Sequence, residues 1–203
     1  MDPNKIINRV KNHTPTILGI EHFSKSAVLI PLVQQNDEVH VLFEVRSQEL
    51  RRQPGEICFP GGRIDEEDPS EQEAAIRETM EELRIRRTEI SDVYPLDYMI
   101  SPFEMIIYPY VGIIHNIDKI EPNPAEVEEV FVVPLTFFQQ TKPQIHQVSI
   151  DVRPEDDFPF ELIIGGENYN WRQRKMDEYF YIYEDKVIWG LTAKIMSHFV
   201  QMI

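Results

Sequence analysis

Short apolar runs rich in β-branched and aromatic residues, separated by polar turns, make up most of this chain. Residues 26–33 (SAVLIPLV) and 38–45 (EVHVLFEV) are two such runs, and the polar Gln34-Gln35-Asn36-Asp37 between them predicts a hairpin. Residues 93–100 and 106–114 predict two more strands, with Pro109 placing the second at an edge or a bulge. Residues 130–138 predict another strand turning into a short helix. Further on, 144–152, 161–164 and 179–183 have strand character, with Gly165-Gly166 as a turn. Helical spacing appears in three places. Asp2-Pro3 followed by Ile6, Ile7 and Val10 predicts a short packing helix within an N-terminal lead-in, 1–25. Residues 68–83 predict a longer helix, and Ile188, Leu191, Ile195 and Phe199 predict a core helix over 186–203. Mixed strands without regular βα alternation imply an α+β class or a layered α/β/α arrangement, in one domain over 1–203.

The helix over 68–83 carries the candidate chemistry. Asp68 can cap it, Pro69 suits the first helical position, and Glu71 falls where a capping box places its carboxylate. At about 100° per residue, Glu78, Glu81 and Glu82 share one arc of roughly 100°, while Ile76, Met80 and Leu83 face the other way. Such a stripe taken alone reads first as a solvated acidic face. Gly61-Gly62 just upstream, read as a tight turn whose backbone can approach another group, and Arg77 beside the carboxylates turn the reading toward a cation site. Clustered carboxylates with a free carbonyl suit a hard divalent ion, which commonly carries substrate phosphates.

These residues resemble the Nudix hydrolases, whose box has the form G-x5-E-x7-R-E-U-x-E-E-x-G-U, where U is a bulky aliphatic residue. Gly62, Arg77, Glu78, Glu81, Glu82 and Ile85 match it. Asp68 replaces the first Glu, one extra residue precedes Arg77, Thr79 takes the first U position, and Arg84 stands where glycine is usual. A left-handed Arg84 at the helix end would cost roughly 1–2 kcal/mol. Upstream, Arg46-Ser47, Arg51, Gly55 and Phe59-Pro60-Gly61-Gly62 are similar to the L-L-T-x-R-(S/A)-x3-R-x3-G-x3-F-P-G-G signature of the coenzyme A pyrophosphatase-type branch; the leading L-L-T is kept only as Leu42-Phe43-Glu44. Ile188–Ala193 also resembles the C-terminal segment of that branch.

The resemblance implies the Nudix fold, a mixed β-sheet sandwiched between α-helices. It implies metal-dependent hydrolysis of the pyrophosphate of coenzyme A or a derivative, giving 3′,5′-ADP and (acyl-)4′-phosphopantetheine. Mg²⁺ or Mn²⁺ would be held by Glu78, Glu81, Glu82 and the Gly61 carbonyl, with Arg77 orienting a carboxylate and Asp68 assisting through water. Arg46, Arg51 and Gly62 are the substrate-binding candidates. Glu126, in NPAEVEEVF, is the candidate for a further catalytic carboxylate, or else orients its loop. Two other readings remain open: a pyrophosphatase for ADP-ribose or a dinucleoside polyphosphate, and a Nudix-fold binding module without turnover.

Composition narrows the partners. The 203 residues carry a net charge of −15, which argues against nucleic acid or an anionic membrane as the main partner. The small nucleotide substrate that the resemblance implies would have to be neutralised locally, which fits a metal and the Arg46/Arg51 pair. The sequence does not give the oligomeric state, and a homodimer stays open. The single cysteine excludes an internal disulfide and suits a reducing compartment. With no long apolar run and no signal-like N-terminus, the expected location is cytoplasmic. Cys58 reads as packing. Trp171–Lys175 reads as a solvated turn, with stacking on adenine as the alternative.

Overall fold

In the computed structural model, which describes residues 2–203, the sheet grows from the expected hairpin. β1 (Ser24–Gln35) and β2 (Glu38–Arg46) run antiparallel, Gln35 opposite Glu38. Asn36 and Asp37 close the turn at φ 52° and 61°. Two left-handed residues in succession are what a type I′ hairpin requires, and Asn and Asp tolerate that region. β2 also pairs with β3 (Ile57–Cys58) and β8 (Val127–Pro134). β1 holds β7 (Met105–Ile114) parallel and β4 (Gly61–Arg63) antiparallel. β5 (Ile90–Pro95) and β6 (Met99–Ser101) both join β7, which completes eight strands.

Alternation along β1 and β2 feeds two cores. Ala27, Leu29 and Leu42 pack with Ala74, Ala75, Ile76 and Leu83 of α2 (Glu71–Leu83). Ile30, Val41 and Phe43 pack on the opposite face with Phe138 of α3 (Leu135–Gln140) and with Ala193, Met196 and Phe199 of α4 (Gly190–Met202). A strand covered on both faces reads as a continuous apolar run, as 27–33 does. The result is a mixed sheet between helices, as expected. A three-stranded sheet of β9 (Gln144–Ile150), β10 (Arg174–Tyr183) and β11 (Lys186–Trp189) joins the second core through Tyr181 and Ile188.

Several local expectations change. The expected strand 93–100 is two strands, because the chain leaves the sheet after Pro95, with Leu96 N donating to Pro109 O at 2.9 Å. Pro109 lies in an interior strand, where the partner of β7 passes from β5 to β6 and a missing donor disrupts least. The 161–164 segment is a 3-10 turn, Phe160–Leu162, with Ile164 exposed. Trp171 packs edge-on against Phe158 and Tyr169. The helix expected over 186–203 begins at Gly190. Lys186–Trp189 instead pair with β10, and Ile188 serves both periodicities because it is buried at the strand end. α1 (Pro3–Val10) forms with Asp2 as its cap, but Ile6, Ile7 and Val10 are exposed, so the packing role expected for it is not seen. Among the described residues no helix is long and apolar enough to cross a membrane.

Candidate active site

α2 starts two residues later than expected. Ser70 is its cap, accepting from Glu73 N at 3.2 Å. Asp68 has a different partner: its carboxylate takes Arg77 Nε and Nη2, both at 2.9 Å, in a bidentate fork. Those bonds and the Asp65 N–H pull its pKa down to about 2. A planar guanidinium matches a carboxylate at two points, and this outcompetes a single capping bond. From this anchor Arg77 Nη1 donates to Glu78 Oε1 at 2.9 Å and lies 3.5 Å from Glu81 Oε2, while Nη2 donates to Arg63 O at 3.1 Å. Arg77 therefore orients Glu78 against β4 and does not reach into open space.

Gly61 and Gly62 form strand β4, not the expected turn. Gly61 has φ 149°, and a Cβ there would fall on the backbone of Ala27 and Val28 in β1. A Cβ on Gly62 would fall into the Glu78 carboxylate. Both glycines are needed for close approach, one to a strand and one to a carboxylate. The Gly61 N–H donates to Glu82 Oε2 at 2.8 Å, which ties β4 to α2.

The carboxylates differ in setting. Glu82 is buried, the Glu78 side chain is 15% exposed and that of Glu81 is 55% exposed. Burial, then the neighbouring Glu44 charge, raises Glu82 to about 9. Burial raises Glu78 as well, against the pull of Arg77. Glu126 adds to the same field and is held in place. Asn123 Nδ2 donates to Glu126 Oε1 at 3.0 Å, and Asn123 N donates to Glu82 O at 2.7 Å. Asn123 Oδ1 in turn accepts from Arg84 Nη2 at 3.0 Å. Arg84 is left-handed, φ 51° and ψ 41°, as the box alignment expects of the residue in the glycine position. Relief of that strain, about 1–2 kcal/mol, and loss of a bond worth about 0.5–1.5 kcal/mol oppose each other. Arg84→Gly is therefore expected to shift unfolding stability by less than about 1 kcal/mol, which a urea melt would check.

A cleft of about 610 Å³ opens beside Gly61 and Gly62, with Arg46, Arg52, Arg63 and Lys194 on its walls. The 47–56 loop folds back on β2: Gly55 N donates to Arg46 O, and Arg46 N to Glu56 O, both at 2.9 Å. That closure brings Arg52 to the cleft and leaves Arg51 exposed and off its walls. Cys58 is not simple packing. Its Sγ donates to Glu44 Oε1 at 3.2 Å, and burial pushes the thiol pKa well up, so it stays protonated. Sequence reasoning missed Arg52, Lys194 and Glu44. Only Glu44 left a signal, as a charge inside an apolar run at the position where the upstream motif departs from its pattern.

The donor set fits a divalent cation. Carboxylate and backbone oxygens are what hard ions take, and desolvated, mutually repelling carboxylates are relieved by one. Among the described residues, no three acidic, histidine or cysteine side chains already stand gathered as a finished cage.

Comparison with known proteins places the chain. The NUDIX domain model matches residues 24–151. The mouse peroxisomal coenzyme A diphosphatase NUDT7 is 36% identical over 61% of this chain and 51% of its own length. An uncharacterized Nudix hydrolase NudL from Yersinia enterocolitica is 30% identical over 88% of this chain and 80% of its own length. The chain spans about half the length of the first curated relatives it matches, 51% for the mouse protein and 53% for the chloroplastic Nudix hydrolase 22 of Arabidopsis thaliana. A crystal structure of a MutT/nudix family protein from Enterococcus faecalis aligns over 100% of this chain and 70% of that one, with TM-score 0.50 and 15% identity, a likeness of fold alone. With the domain model covering more than half the chain and its box lying on α2 against the β4 glycines, the chain belongs to the Nudix family.

Proposed function

We propose that this chain hydrolyses the pyrophosphate linkage of a small nucleotide derivative, with coenzyme A or one of its derivatives as the substrate. One observation carries the reading: Glu78 and Glu82, desolvated and fixed by Arg77 and the Gly61 N–H, pack against the two β4 glycines, and those glycines line a cleft whose walls carry Arg46, Arg52, Arg63 and Lys194 beside Glu56, Asp177 and Glu178.

Glu78 and Glu82 would hold a divalent cation, Mg²⁺ or Mn²⁺, with Glu81 and the Gly61 carbonyl as further oxygen donors. When bound, such an ion neutralises pyrophosphate oxygens and makes a water nucleophilic near neutral pH. In the reaction, water oxygen bonds to one phosphorus as the bridging P–O bond breaks, and the bridging oxygen leaves with the other phosphate. For coenzyme A the products are 3′,5′-ADP and 4′-phosphopantetheine. Arg77, held by Asp68, keeps Glu78 in register and is a positioning residue. Glu126, one oxygen of which is engaged by Asn123, is the candidate to receive the proton released by water. Arg46, Arg52 and Lys194 supply the positive field that an acidic protein needs around a polyanion.

Substrate choice is carried by the likeness to the mouse coenzyme A diphosphatase and by the upstream motif that delivers Arg46 and the Arg52 loop. Charge-assisted contacts to phosphate are worth roughly 1.5–3 kcal/mol, or about ten- to a hundredfold. Arg52→Ala is expected to lower kcat/KM for coenzyme A by that factor and for dephospho-coenzyme A much less, with Arg46→Ala tested in parallel. Arg51→Ala should have the smaller effect, since its side chain lies off the cleft. The deciding experiment is a turnover screen with and without Mg²⁺ over coenzyme A, dephospho-coenzyme A, ADP-ribose and diadenosine tetraphosphate. Preference for either of the last two would refute the coenzyme A reading, and no turnover of any would refute the enzyme.

A further inference from the structure

Glu44 is a carboxylate in an apolar strand. It is 1% exposed, between Phe43 and Val45 on β2. One oxygen accepts from the Cys58 thiol at 3.2 Å, a weak donor, and the other, Oε2, has no donor among the described residues. Arg46, two residues on, would be the obvious partner, yet it makes no bond to Glu44. Its Nη2 reaches the Arg52 carbonyl at 3.4 Å, and its Nε is buried without an acceptor among the described residues. The Arg46 charge acts on Glu44, yet no bond joins them and each keeps a shielded atom without a partner among the described residues. Arg46 lines the cleft proposed for the phosphates. Glu44 shares the side of β2 taken by Leu42, which packs on α2. α2 is the helix that bears Glu78 and Glu82, and the Glu44 and Glu82 charges act on each other. A buried carboxylate with a free oxygen beside other carboxylates is matched by a cation, since buried charges are paired or coordinate metals.

We propose that Glu44 contributes its free Oε2 to the divalent-cation site of Glu78 and Glu82, with the Cys58 thiol fixing the other oxygen. This rests on the cation site of the proposed function. Cys58 is then a positioning residue, its Sγ donating to Glu44 Oε1 at 3.2 Å and so fixing the carboxylate. Among the described residues no three ligand side chains stand gathered beforehand, so these carboxylates would close around an ion on binding, and a further desolvated oxygen would raise the affinity.

The test measures cation binding without substrate. Free Mn²⁺ is followed by electron paramagnetic resonance during titration into the full chain and into Glu44→Gln, Glu44→Asp and Glu82→Gln, each checked for folding by circular dichroism. Glu44→Gln is expected to weaken Mn²⁺ binding by about ten- to a hundredfold. Glu44→Asp keeps the charge but shortens the reach, and should lose less. If Glu82→Gln weakens binding and Glu44→Gln does not, the proposal is overturned and the cation site of Glu78 and Glu82 stands. If neither variant changes Mn²⁺ affinity, that site falls as well. Should Glu44→Gln fail to fold, Glu44→Asp decides, and wild-type affinity in that variant overturns the proposal.

Discussion

Glu82→Gln is expected to lower turnover by at least about a hundredfold while making the cation-free protein more stable at neutral and mildly alkaline pH. The two effects have one origin. Glu82 is buried beside Glu44 and within the field of Glu78 and Glu126, and its pKa rises from the ordinary 4.5 to about 9. In that window the folded chain keeps a proton that the unfolded chain has released. Stability therefore falls as pH rises from about 4.5 toward 9, because the unfolded state binds fewer protons. Glutamine removes the ionisation and still offers an oxygen to the Gly61 N–H. Thermal melts between pH 5 and 9 on chelator-treated protein should show this downward slope flattened in the variant. Steady-state turnover with Mg²⁺ should collapse at the same time. Glu78→Gln should lose turnover similarly, since Arg77 holds that carboxylate against β4. Full activity in both variants would remove Glu78 and Glu82 from the mechanism.

Gly61→Ala is expected to destabilise the chain by roughly 2–4 kcal/mol, combining overpacking with a backbone region that side chains rarely adopt. The Ala Cβ would land on the Ala27 carbonyl and the Val28 backbone in β1, and neither can swing aside as a side-chain tip could. β1 is the strand on which β2, β4 and β7 all pair. Any shift of β4 also breaks the Gly61–Glu82 bond. In a chain of 203 residues, each kcal/mol corresponds to about 2–4 °C in Tm. The melt should therefore drop by about 4–16 °C, and by less when a divalent cation re-ties β4 to α2. A Tm within about 2 °C of wild type would mean that β4 relaxes freely and that the close approach is not required.

Local chemistry made much of this legible. The shared arc of Glu78, Glu81 and Glu82 along α2, the apolar face of Ile76 and Leu83, and a hairpin turn within 34–37 are set by neighbours a few residues away; the structure narrows the turn to Asn36 and Asp37 and buries Glu82 of the three carboxylates. The apolar runs that became β1 and β2 were equally plain, because a strand buried on both faces has no polar side to interrupt it.

Long-range partners decided the rest. Asp68 has a good capping sequence around it, but Arg77, nine residues on, offers two bonds where a cap offers one. Ile188 fits a helical period, yet pairing with β10 holds Lys186–Trp189 extended. Arg51 matches a motif spacing, and the return of the 47–56 loop onto β2 puts Arg52 on the cleft instead. Spacing along a chain determines which side chains share a face of their own element. Which carboxylates meet across elements, as Glu44 of β2 meets the field of Glu82 on α2, depends on how sheet and helix pack, and that is a property of the folded whole.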